Sequence, residues 1–160
     1  MKKTLFVLAL ILTMFSYGYS KTISAGEASL VVPDDWSILE VSEPMLILAQ
    51  APQKGNFSTN VALSKEVMKI DGDAETQKEL SIRNLQSIFT DIKLIESKEN
   101  YWIFENSLSE ETTEIRQIQY FYVKNNNVYI LTFSAEENLF NSSRHIFEKI
   151  EKSLVLEQLE

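Results

Sequence analysis

The sequence predicts an α+β fold, an antiparallel sheet flanked by helices in a layered α/β/α sandwich. Three observations lead there. Between Ile92 and Ala135 the chain alternates with a period of two in four successive segments separated by turn-forming residues. A stretch with helical periodicity precedes that run and another follows it. One of the four segments, 114–124, is partly apolar or aromatic on both faces, which implies cover on both sides of the sheet.

The elements follow in order. Lys2 and Lys3, the apolar run Thr4–Phe15 and the small-polar tail Ser16–Ser20 have the layout of a secretory signal peptide. Gly18 and Ser20 suit the small-residue pockets of signal peptidase, so the cut is expected between Ser20 and Lys21. A run of twelve residues is too short for a spanning helix, which needs about 20. Residues 1–20 are therefore read as a signal and 21–160 as one domain, with no stable membrane anchor after cleavage. The destination is the periplasm or the outside of the cell. Ala28–Val32, Ser37–Val41, Met45–Ala51 and Thr59–Val67 read as strands, broken at Pro33–Asp35, Glu43–Pro44 and Pro52–Ser58.

The first helix is expected from a cap at Asp73 to about Thr90. Ala74, Ser81, Ile82, Leu85, Ile88 and Phe89 share its core face, and Leu80 falls off it among Lys78, Glu79 and Arg83. Strands follow at Ile92–Ser97, Tyr101–Leu108, Glu114–Lys124 and Val128–Ala135. The triple Asn at 125–127 suits a tight hairpin, because Asn tolerates positive φ. Ser134 and Glu137 match a capping box for the last helix, whose core face would be Leu139, Phe140, Ser143, Ile146, Phe147, Ile150 and Leu154.

Composition narrows the function. The 140 residues left after cleavage can bury about two-thirds of their unfolded surface, so packing alone can hold them. No cysteine is present, which excludes disulfides. The formal charge is −8, and without Lys2 and Lys3 it is 13 basic against 23 acidic residues, or −10. Such a surface repels phosphate backbones and anionic headgroups, which argues against nucleic-acid partners.

The order of short markers resembles the PsbP-like and DcrB-like families. Val32-Pro33-Asp34-Asp35-Trp36 resembles their Val-Pro-x-x-Trp opening. Asn60-Val61 before the first helix, Thr132-Phe133 before the last, and Phe147-x-x-Ile150-x-x-Ser153-Leu154 also fit. The resemblance implies a sheet sandwiched between helices, found in exported proteins, photosystem-associated subunits and binding or chaperone roles. It implies no catalytic motif. Lipoprotein members carry a cysteine at the cleavage site; with none here, lipid anchoring does not carry over.

A search for chemistry finds little. His145, the single histidine, is expected to face solvent, since it lies two residues from the core residue Phe147. Asp71, Asp73 and Glu75 surround Gly72, yet calcium-loop spacing is missing, and helix capping explains the same residues. Glu110, Glu111 and Glu114 lie at a hairpin tip, where carboxylates are solvated. Trp36 and Trp102 read as packing, with a ligand platform as the sharper reading of Trp36. No catalytic, metal or cofactor-binding residue is expected, and no cofactor. The preferred function is an exported binding or adaptor module acting by protein–protein contact on an unidentified envelope protein, with Leu80 as the candidate contact. The alternative is a small-ligand carrier or hydrolase with a pocket between sheet and helix.

Overall fold

A computed structural model describes residues 20–68, 74–89, 91–110 and 112–157 of the chain. The period-two run folds as a meander: β6 (Asp91–Lys98), β7 (Tyr101–Glu110), β8 (Thr113–Lys124) and β9 (Asn127–Glu136). With β3 (Ser37–Ile38), β4 (Met45–Gln50) and β5 (Asn60–Val67) these form a seven-stranded antiparallel sheet in the order β3-β4-β5-β9-β8-β7-β6. The β8–β9 turn is Asn125–Asn126 at φ 50° and 59°, the pair of left-handed residues that a two-residue hairpin needs.

Strand alternation divides this sheet into two covered faces. One face presents Ile118, Tyr120, Leu131 and Phe133 to α2 (Glu137–Lys152), which contributes Phe140, Phe147 and Ile150. A second sheet packs into the same cluster through Ile23, Leu30 and Val32. It consists of β1 (Ser20–Ala25), β2 (Ala28–Pro33) and β10 (Val155–Leu156), in the order β1-β2-β10. The other face presents Trp102, Phe104, Phe121 and Val128 to α1 (Ala74–Ile88), which contributes Leu85. The α/β/α expectation is met, with a small sheet beside α2 in its layer. Among the described residues, no helix is long and apolar enough to cross a membrane.

Four local expectations are corrected. The strand expected at Ser37–Val41 contracts to Ser37–Ile38, because only those residues pair with β4. Strand β1 was not foreseen, since Ser20–Ala25 has one buried side chain, Ile23, and so little apolar alternation to read. Ser134 does not cap α2; it is a strand residue paired with Gln117 and Asn60, and its hydroxyl accepts from Gln117 Nε2 at 2.9 Å. Helix α2 starts three residues later, after Glu136, which makes no side-chain cap bond. Ile88, expected in the core, is 71% exposed. Helix α1 buries Gln77 beside the expected Ser81 and Leu85, so its buried face is turned away from Ile88 toward a polar residue that an apolar count does not see. Asp71–Asp73, the export signal up to Tyr19, Thr90 and Glu111 lie outside the described residues.

Candidate functional site

The two helices sit differently on the sheet. Helix α2 is seated by aromatic packing, with Phe147 stacked on Phe133 at 4.8 Å between ring centroids. It is also clipped by charge. Glu105 on β7 receives hydrogen bonds from Arg116 of β8 at 2.9 Å and from Arg144 of α2, and Arg116 reaches Glu137 at 3.2 Å. Both guanidinium groups lie over the Phe140 ring, at 5.0 and 5.3 Å. Burial alone would raise the Glu105 pKa, but the bonds from Arg144 and Arg116 outweigh it and hold the carboxyl below its ordinary value. The cluster is internally paired and fastens α2.

A second clip joins the two sheets. Gly26, at φ +57°, and Glu27 form the two-residue turn between β1 and β2. The Glu27 carboxylate accepts from Lys65 of β5 and from the Tyr129 hydroxyl of β9 at 2.8 Å. The Lys65 bond, the residue's own backbone N–H and Tyr129 together depress its pKa to about 2. Sequence reasoning missed both clips. For the first, the available signal was a charged Arg116 on the otherwise apolar face of Ile118 and Tyr120. The second offered no local signal, because its members lie on distant strands.

Helix α1 leaves a groove of about 410 Å³ against the sheet, lined by Leu80, Asn84 and Ile88 from the helix and by Gln119, Phe121 and Ile130 from the strands. Leu80 is partly buried at its lip rather than free on the far side of the helix. On the same face of the sheet Asn106, Gln117 and Ser134 lie in one cross-strand row, with Gln119, which lines the groove, in the next. Asn106 is 2% exposed, and neither its side-chain amide nor its carbonyl finds a partner among the described residues; Gln117 Oε1 and Gln119 Oε1 are likewise unpartnered. Helix α1 buries one apolar side chain, Leu85, where α2 buries Phe140, Phe147 and Ile150, so less apolar packing holds α1 to the sheet.

The other singled-out residues fall apart from one another. Trp36 is buried in the α2-side core at 3% exposure and bonds through its backbone to Pro33, which fits packing. His145 is exposed, with Nδ1 2.9 Å from the Ser142 carbonyl oxygen. It rims a cleft of about 340 Å³ together with Trp36, Lys54 and Ser142. Trp102 is fully buried and stacks on Phe121. Glu110 and Glu114 are exposed, and the Ser109 hydroxyl donates to Glu114 at 2.5 Å. Ser20 and Lys21 open β1, where Lys21 Nζ donates to the carbonyl oxygens of Asp34 and Trp36.

No family model matches the chain, and no curated protein matches it significantly by sequence. Likeness is found in three dimensions. Cyanobacterial PsbP (CyanoP) from Synechocystis matches with a TM-score of 0.64 at 10% identity, over 87% of this chain and 93% of its own. The chain has the PsbP-like fold. LpqN, involved in cell envelope biogenesis of Mycobacterium tuberculosis, shares it with a TM-score of 0.62 at 16% identity, over 88% and 91% of the two chains. So does a protein of unknown function from Pseudomonas aeruginosa, with a TM-score of 0.61 at 16% identity, over 89% and 100%. At such identities the PsbP-like fold carries architecture and not activity, so function has to be argued from the α1 face itself.

Proposed function

We propose that this chain is an exported binding or adaptor module that works by protein–protein contact on the α1 side of the sheet. One observation carries the reading: α1 is held by little apolar packing and leaves Leu80 and Ile88 along an open groove. Apolar side chains at the lip of such a groove are the kind of contact in which binding energy concentrates. The signal-like first twenty residues support export to the periplasm or beyond, and the PsbP-like relative in mycobacterial envelope biogenesis is compatible with such a setting.

The carrier reading has one point in its favour, since the groove does lie between sheet and helix. Hydrolysis has less. Glu66 at the groove is exposed, and the Ser81 hydroxyl is already committed to the Gln77 carbonyl oxygen at 3.0 Å. Photo-crosslinking in intact cells tests the proposal, with the reactive side chain placed at Leu80, at Ile88 and, as a control, at the exposed Glu148 of α2. A discrete protein adduct from the first two positions and none from Glu148 is expected. Adducts from all three alike, or from none, would remove the α1 face as the contact.

A further inference from the structure

Among the described residues, strand β6 is the outer edge of the seven-stranded sheet, paired only with β7, and it exposes Leu94 at 46% and Ile95 at 42%. The opposite edge, β3, is two residues long and offers little to pair with, whereas β6 has eight. A long edge strand with apolar exposure is a template for another strand unless something blunts it.

The side-chain order on β6 is self-complementary. Its sequence is Asp91-Ile92-Lys93-Leu94-Ile95-Glu96-Ser97-Lys98. If two copies lie antiparallel about a two-fold axis between Leu94 and Ile95, Asp91 faces Lys98 of the other copy and Lys93 faces its Glu96. Leu94 then faces Ile95, and Ile92 faces Ser97. A two-fold axis of this kind requires opposed residues to lie on the same face of the sheet. In a regular strand, residues an odd number of positions apart point to opposite faces, and this register would fail.

The bulge removes that obstacle. Register shifts between Leu94 and Glu96, so Asp91, Lys93, Glu96 and Lys98 align with Ser107, Glu105, Ile103 and Tyr101 of β7, all on the α2 face. Ile92 and Ser97 align with Asn106 and Trp102, both on the α1 face. The signs along the α2 face then read minus, plus, minus, plus. Sliding the two copies by two residues sets Asp91 against Glu96 in one direction and Lys93 against Lys98 in the other, which is repulsive both ways. The charges thus select one register.

We infer that β6 is a self-association edge, and that its occupant is β6 of a second copy of this chain in the register Lys93 to Glu96. Pairing would cover Leu94 and Ile95 and join the two sheets into one. An eight-residue ladder is only about 27 Å long, which places the interface near or below about 1,200 Å² and makes the dimer concentration-dependent.

Sedimentation of the purified protein over a broad concentration series tests this, together with the variants Lys93→Glu and Glu96→Lys. The unaltered protein is expected to pass from monomer to dimer as concentration rises. Either variant alone sets like charges against each other at two symmetric places and should stay monomeric. An equimolar mixture of the two should dimerise again, because Glu at 93 in one copy then meets Lys at 96 in the other. Far-UV circular dichroism checks that each variant is folded, and one that is not leaves the unaltered protein's concentration series to decide. A protein that stays monomeric throughout, single variants that dimerise like the unaltered chain, or a mixture that stays monomeric would each overturn the inference.

Discussion

Trp36 illustrates what a single residue can reveal. Following a Pro-Asp-Asp turn, it reads as a plug at the end of the core, and it is buried there with Leu30, Val32 and Phe147 in the same cluster. Trp36→Ala should therefore cost about 3–5 kcal/mol, measured by denaturant unfolding. A loss under about 1 kcal/mol would mean the indole is not packed and would revive its role as a ligand platform. Glu27 was not legible, because its worth comes from Lys65 and Tyr129, which only the folded strands bring to it. Its carboxyl is held at about 2 in the fold against an ordinary 4.5. A depressed carboxylate contributes fully above the unfolded value, and that contribution is lost as pH falls from about 4.5 toward 2. Glu27→Gln should thus weaken the protein by about 1.5–3 kcal/mol at neutral pH, and the gap should close in acid. An equal gap across the whole acid titration would show that the carboxylate's charge is not what holds the turn.

Among the elements, those with strong periodicity were readable and those held by pairing or polar contacts were not. The four-strand meander and α2 follow from alternation and from the spacing of Phe140, Phe147 and Ile150, and both are found near their expected bounds. The Ser134 capping box failed because ladder pairing of β9 with both β5 and β8 claims residues up to Glu136. Helix α1 was found with Ser81 and Leu85 buried as expected, but its phase is turned, since Gln77 is buried while Ile88 is exposed. The Asn125–Asn126 turn was legible from composition alone, because few side chains accept positive φ. Asn125→Ala should cost about 1 kcal/mol through that conformation, read as a lower melting temperature with the fold retained. No change would mean that the turn relaxes to another type.

At the level of the whole molecule, the chain pairs a firmly seated α2 side with a loosely seated α1 side. Its family resemblance was legible in the order of short markers, and the PsbP-like part of it holds in three dimensions. The groove was not legible, because it depends on how α1 lies against Gln119 and Phe121. The proposed export belongs to this scale too: if it holds, protein recovered from the cell envelope should begin at Lys21 by intact mass. Recovery of all 160 residues in the membrane fraction would contradict both cleavage and destination.

The claim that the α1 face makes the functional contact is tested most directly by Leu80→Glu, followed by two readings on one preparation. Leu80 lies at the groove's lip rather than in the core, so unfolding free energy should change by less than about 1 kcal/mol. Capture of envelope partners by the immobilised protein should fall sharply, because a charge now occupies an apolar anchor point. Capture that persists unchanged in a folded Leu80→Glu protein would contradict the account, and so would unfolding of the variant, which would make Leu80 a core residue.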